Sequence, residues 1–167
     1  LADYAAQLRQ FVEASVDGFS GKPADIAARV AKVLDPVHGF EFFCKTYFPH
    51  YMTHAEKSDL HEYLFCRLPE IAESPESCSD VIGASRGEAK STICTQLHTL
   101  WRIVTGRTHF ALIVMDSIDQ AYPMLETIKA ELEFNGRLAM DFPQACGAGK
   151  TWQAGSIITA NNIKVCV

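Results

Sequence analysis

No run of apolar residues in this sequence approaches the roughly 20 that a membrane-spanning helix requires. The longest, "FALIVM" at Phe110 to Met115, excludes a transmembrane segment of that kind and, with it, a membrane partner. CxxC pairs are also missing. The six cysteines, Cys44, Cys66, Cys78, Cys94, Cys146 and Cys166, are scattered, and free thiols inside apolar patterns act as small hydrophobes. Such usage points to a reducing cytoplasm. Excess basic charge is lacking too: the net charge is −5, so no global attraction draws nucleic acid, although a local basic patch still holds phosphate within a screening length. The N-terminus "LADYAAQLRQ" has no basic flank followed by an apolar stretch, so nothing in this stretch reads as a secretory signal, and it does not start with Met, so the chain reads as trimmed or excised. Internal repeats and low-complexity tracts are absent. What remains is a composition of 48% apolar and 21% charged residues over 167 positions, that of one compact soluble domain with a single core, with room for a helical appendage.

The first third carries helical spacing. "ADYAAQLRQFVEASV" is broken by "DGFSGKP", "ADIAARVAKVL" resumes with Pro23 suited to a helix start, and "FEFFCKTY" supplies a third, aromatic helix. "ADIAARV" resembles the first helix of a helix-turn-helix, but no matching second helix follows. A helix over "SDLHEYLFCRL" starts on the Ser58 cap and ends near Pro69, and "AESPESCSD" is a surface loop. Then "DVIGAS" reads as a short buried strand, and "STICTQLHTLWRIV" aligns Ile93, Leu97, Leu100, Trp101 and Val104 on one helical face, closed by the glycine of "TGRTH". "FALIVM" has the pattern of a parallel strand covered on both faces, and a helix around "PMLETIKAELEF" follows. Strand, helix, strand, helix predicts a right-handed α/β unit. "SIITANNIKVCV" predicts two strands joined by an Asn-rich turn.

Between the predicted strand and helix lies "GASRGEAKST", residues 83 to 92. A phosphate loop works through backbone N–H groups around the anion, a helix N-terminus aimed at it, a lysine on the terminal phosphates and a hydroxyl on magnesium. The common formula GxxxxGK[ST] would need glycines at Ala84 and Ala89, whereas the glycines stand at Gly83 and Gly87. A second stretch, "GAGKT" at Gly147 to Thr151, ends in the familiar letters but would place the first glycine on Gln144. Context separates the two. Lys90 opens a long amphipathic helix after a strand, at the carboxyl end where an α/β sheet receives ligands. Lys150 instead precedes "TWQAGSIITANNIKV", which reads as strand and turn, so its stretch reads as a flexible surface loop. The competing reading of residues 83 to 92 is a polar connection capped by Ser85.

"GASRGEAKST" resembles the variant Walker A loop of bacteriophage terminase large subunits, in which an Arg-Gly pair precedes the lysine and Ala can replace Gly. The order and spacing of "GFEFFCKTYFPHY", "LHEYLF", "LIVMDSIDQA", "KAELEFN" and "IITANNIKVCV" resemble the same family over residues 30 to 167. The resemblance implies an α/β fold, a P-loop NTPase of the RecA-like type with a parallel sheet and an N-terminal helical region (residues 1–75) before the ATPase core (residues 76–167). It implies a motor that hydrolyses ATP with Mg²⁺ to drive double-stranded DNA into a procapsid in the host cytoplasm. Its partners would be the portal protein and the small terminase subunit, and it would act as a homo-oligomeric ring. The Walker B strand, the coupling motif and the RNase H-like nuclease of that family are expected beyond Val167, so this chain reads as an N-terminal fragment that binds ATP and hydrolyses it poorly. The alternatives are another RecA-like or helicase-like ATPase and a non-catalytic docking module.

Site roles follow from the resemblance together with phosphoryl-transfer chemistry. Lys90 would contact the β and γ phosphates, Ser91 would ligate Mg²⁺, and Ser85, Gly87, Glu88, Ala89 and Thr92 would complete the cradle. Arg86 is either a cationic fork on the γ-phosphate or a partner of Glu88 that shapes the loop. Glu88 should turn its charge toward solvent or Arg86, since a carboxylate beside a triphosphate is repelled. Phe48 and His61, with Pro49 and Tyr51, are candidates for the adenine side, against the alternative of an aromatic core. Asp116 and Asp119, at another predicted strand end, could hold Mg²⁺ or a water, but are read as helix caps. His50, His54 and His61 with Cys44 and Cys66 lack the short spacing of a structural zinc site.

Overall fold

The computed structural model describes residues 2–15, 18–52 and 58–167. Four helices lead: α1 (Ala2–Ser15), α2 (Pro23–Val33), α3 (Gly39–Tyr47) and α4 (Asp59–Glu73). Pro23 opens α2 with φ already set for a helix. The short link to α3 is built by Asp35, whose Oδ1 accepts from the N–H groups of Val37 and His38 at 2.9 and 2.6 Å. Those two bonds hold its carboxyl below the usual range. Gly39 is required there by space: a Cβ at this position would stand 2.3 Å from the Val33 carbonyl oxygen. Ser58 caps α4 by accepting from the His61 N–H at 3.4 Å. α4 does not stop near Pro69 but runs on to Glu73, because one missing N–H is offset by a proline ring buried in the core.

The second half alternates helix and strand. A π-helical segment, Ser91–Leu97, runs directly into α5 (His98–Val104), which ends at Gly106 with φ of 70°. Then come β1 (Phe110–Leu112), α6 (Ile118–Phe134), α7 (Gly136–Asp141), β2 (Thr151–Trp152), β3 (Ser156–Ile158) and β4 (Lys164–Cys166). The architecture is mixed α/β, with a small four-stranded sheet in the order β1-β4-β3-β2. Among the described residues only β1 and β4 pair in parallel, across the α6 crossover; β4–β3 and β3–β2 are antiparallel. The sheet is therefore mixed where a parallel one was expected, since short turns, such as that at Asn162 with φ of 62°, can join only antiparallel neighbours.

Two further expectations are corrected. "DVIGAS" is not a buried strand: none of residues 80 to 85 pairs, and Val81 is 99% exposed. A strand needs a partner strand for its ladder, and among the described residues this segment pairs with none. β1 is covered on one face only. Ile113 is buried, but Leu112 and Val114 are 60% and 82% exposed, so the opposite face of the strand is bare among the described residues.

One core joins both halves. Val33, Phe40, Phe43, Tyr47, Leu64 and Leu68 from the leading helices pack with Leu97, Trp101, Leu125, Ile128, Ile157 and Val165. α1 lies along α6 and α2 against α7, so the leading helices close over the later ones. Among the described residues no helix is long and apolar enough to cross a membrane.

Candidate functional site

The loop of residues 83 to 92 crosses from the end of an exposed extended segment to the start of the π-helical segment. Two of its residues have left-handed backbone, Gly87 with φ of 91° and Ala89 with φ of 50°. For alanine this region costs roughly 1 kcal/mol or more. Ala89 occupies the place where the common phosphate-loop formula has its second glycine, and its backbone adopts a conformation that glycine takes freely. The spelling departs from the formula; the backbone at this position does not need to. Residues Arg86 to Thr92 line an open cavity of about 440 Å³.

Lys90 stands at the N-cap of the helix behind the loop. Its Nζ donates to the carbonyl oxygen of Ala84 at 2.7 Å and to that of Ser85. The ammonium is thereby folded back over its own loop, with two neutral carbonyls where an anion would give stronger charge-assisted bonds. Ser91 is exposed and Thr92 half-buried at the first helical turn. Ser85 does not cap the helix; its hydroxyl donates to Glu88 Oε1 at 3.5 Å. Arg86 is exposed and makes no ion pair or hydrogen bond among the described residues, so the loop-shaping pair with Glu88 does not form.

Glu88 turns instead toward α4. Its Oε2 accepts from Ser58 Oγ at 3.3 Å, and its carbonyl oxygen accepts from His61 Nε2 at 3.2 Å. His61 thus reaches the loop. Phe48 does not: it is fully buried, edge-on to Phe43 at 5.0 Å, and has no surface to offer a base. His50 is enclosed as well, with Nε2 2.8 Å from Glu131 Oε1. His54 lies outside the described residues, and among those described no group of His, Cys, Asp and Glu is placed to hold a metal. The N-cap of α6 is Ser117, which makes no side-chain cap bond, so neither Asp116 nor Asp119 caps that helix; Asp119 sits in its first turn, where a negative charge suits the dipole. Lys150 is exposed just before β2, with no helix behind it. The role of Ser58 was missed in the sequence because its signal there was that of an ordinary helix cap.

Below the loop, the same rod of helix carries His98, 92% buried between the rings of Phe40 and Trp101. Burial, and secondarily the charge of Arg102, lowers its pKa to about 4. The unfolded chain takes up this proton near pH 6.5 and the folded one does not, so the stabilising contribution is full above pH 6.5 and is lost as pH falls toward 4. Urea denaturation at pH 7 and pH 5 should show the parent losing about 2 kcal/mol more than His98→Leu, from the difference between pKa values of roughly 6.5 and 4. Equal losses in the two proteins would contradict this.

The chain matches no protein-family model, no curated protein and no solved structure.

Proposed function

We propose that residues 83 to 92 bind ATP with Mg²⁺, and that the chain is the ATP-binding part of a viral DNA-packaging motor of the terminase large subunit type. The observation that carries the nucleotide reading is the backbone at Gly87 and Ala89, which turns the loop around a cavity at the N-terminus of the helix opened by Lys90. The side chains fit the group: Lys90 supplies the cation for the β and γ phosphates, Ser91 a hydroxyl for the metal, and Arg86, exposed beside the cavity, a guanidinium. Bound magnesium would neutralise charge developing on the phosphoryl oxygens. Binding first requires Lys90 Nζ to leave the carbonyls of Ala84 and Ser85.

The motor assignment rests on the resemblance in the order of "YFPHY", "LHEYLF", "GASRGEAKST" and "IITANNIKVCV", and extends to a RecA-like core, a homo-oligomeric ring, double-stranded DNA, the portal and the small subunit. Slow hydrolysis is expected of this chain, because Glu88, the carboxylate among the described residues of the cavity wall, is turned toward Ser58 and Ser85, at 3.3 and 3.5 Å. Calorimetric titration of Mg-ATP up to millimolar concentration, with Lys90→Ala and Lys150→Ala alongside, tests the site. Binding lost in Lys90→Ala and kept in Lys150→Ala is the expected result; binding that survives Lys90→Ala, or no binding by the parent, would sink the reading.

A further inference from the structure

A carboxylate in an anion-binding loop is a liability, since its charge opposes that of the ligand. The position of Glu88 shows how the fold deals with it. Its carboxylate accepts from Ser58 Oγ at 3.3 Å and from Ser85 Oγ at 3.5 Å, and its main chain is held by the His61 Nε2 donor at 3.2 Å. Ser58 is the N-cap of the 15-residue α4, so the carboxylate lies at the positive end of that helix dipole. The acidic residues of the same first turn, Asp59 and Glu62, are both exposed to solvent. Two helix N-termini therefore meet at this loop. That of α4 takes the loop's own negative charge, and that of the Lys90 helix is left for a ligand's.

We infer that Ser58 and His61 form a latch that parks the Glu88 charge on α4 and keeps the loop receptive to a triphosphate. Both are positioning residues, acting through Glu88 and not on the ligand. The inference rests on the nucleotide reading above. Its consequence is electrostatic: with the latch cut, the carboxylate is free to swing toward the cavity, and affinity falls through repulsion while the fold stays intact.

The test is Mg-ATP affinity by calorimetry for the parent, Ser58→Ala/His61→Ala, the same pair with Glu88→Gln, Glu88→Gln alone and Lys90→Ala, each first shown to keep a cooperative urea transition. The latch-free pair should bind about tenfold more weakly, the effect of one unit charge roughly 10 Å from another in a partly solvated site. Adding Glu88→Gln should bring affinity back to within about twofold of the parent, since the charge that repelled is gone. His61→Gln, which keeps an N–H donor, should bind like the parent. A latch-free pair that binds as tightly as the parent, or a loss that Glu88→Gln does not relieve, overturns the latch and leaves the nucleotide reading standing. No binding by the parent, or binding indifferent to Lys90→Ala, overturns both.

Discussion

Truncating Trp101 to alanine should lower the unfolding free energy by about 5 kcal/mol, a large share of the roughly 5–15 kcal/mol that holds a domain folded. The indole is fully buried on α5, 5.5 Å from the ring of Phe40 and stacked on His98, with the Arg107 guanidinium 4.4 Å from its centre. Its Nε1–H donates to the Val33 carbonyl oxygen at 3.1 Å. Alanine leaves a cavity at the point where α2, α3 and α5 meet and strips a buried carbonyl of its partner. The two losses are of order 3–5 and 1 kcal/mol. Trp101→Phe keeps a six-membered ring in place while losing the hydrogen bond and the five-membered part of the indole, so it should cost less, about 1–3 kcal/mol. Urea denaturation of the three proteins measures both; an alanine variant within 2 kcal/mol of the parent would show that the core collapses into the gap. The prediction bears on the site because Trp101 anchors the far end of the rod whose near end carries Lys90.

Asp141→Ala is the second large effect, about 3–5 kcal/mol. The Asp141 carboxylate is wholly enclosed. Arg29 binds it through Nε and Nη2 at 2.6 and 2.7 Å, and the Tyr47 hydroxyl donates to Oδ2 at 2.6 Å. Burial, then the bond to Asp141 and its charge, raise the Tyr47 pKa well above its ordinary value, so the phenol remains a donor at any working pH. Removing the carboxylate leaves a partly buried guanidinium with the Ser20 carbonyl as its remaining acceptor, at 3.0 Å, and a phenol without its acceptor. Replacing both charged partners, Arg29→Leu with Asp141→Leu, should cost clearly less than the sum of the single changes, since no charge is then left unpaired. Additive losses in the urea-derived free energies would mean that the ion pair and the tyrosine act separately.

Local patterns were the most legible part of this chain. Helical spacing located α1, α2 and α3, Ser58 marked the start of α4, and the asparagines of "ITANNI" marked the turn between β3 and β4. The face of Ile93, Leu97, Leu100, Trp101 and Val104 is buried as its spacing implied. Each of these depends on residues within a few positions of one another, so short-range sterics and capping decide them. "DVIGAS" misled because strand composition states a preference for pairing but does not supply the neighbour. Phe48 was ambiguous for a related reason: an aromatic residue has the same letter in a core and in a base-stacking wall.

The candidate site divides along the same line. From the letters alone came the stretch itself, the choice of Lys90 over Lys150, and the expectation that Glu88 must turn away from an anion. These rest on charge and on what a helix start can hold, which are local properties. Only the tertiary structure decided where Glu88 turns. The sequence allowed solvent or Arg86, whereas packing brought Ser58 and His61, separated from Glu88 by 30 and 27 positions, to its carboxylate and its carbonyl. A loop's own charges permit several neutralising partners of similar energy, and the choice among them falls to whichever element the core delivers to that spot; here it is the N-terminus of α4, held in place by Leu64 and Leu68.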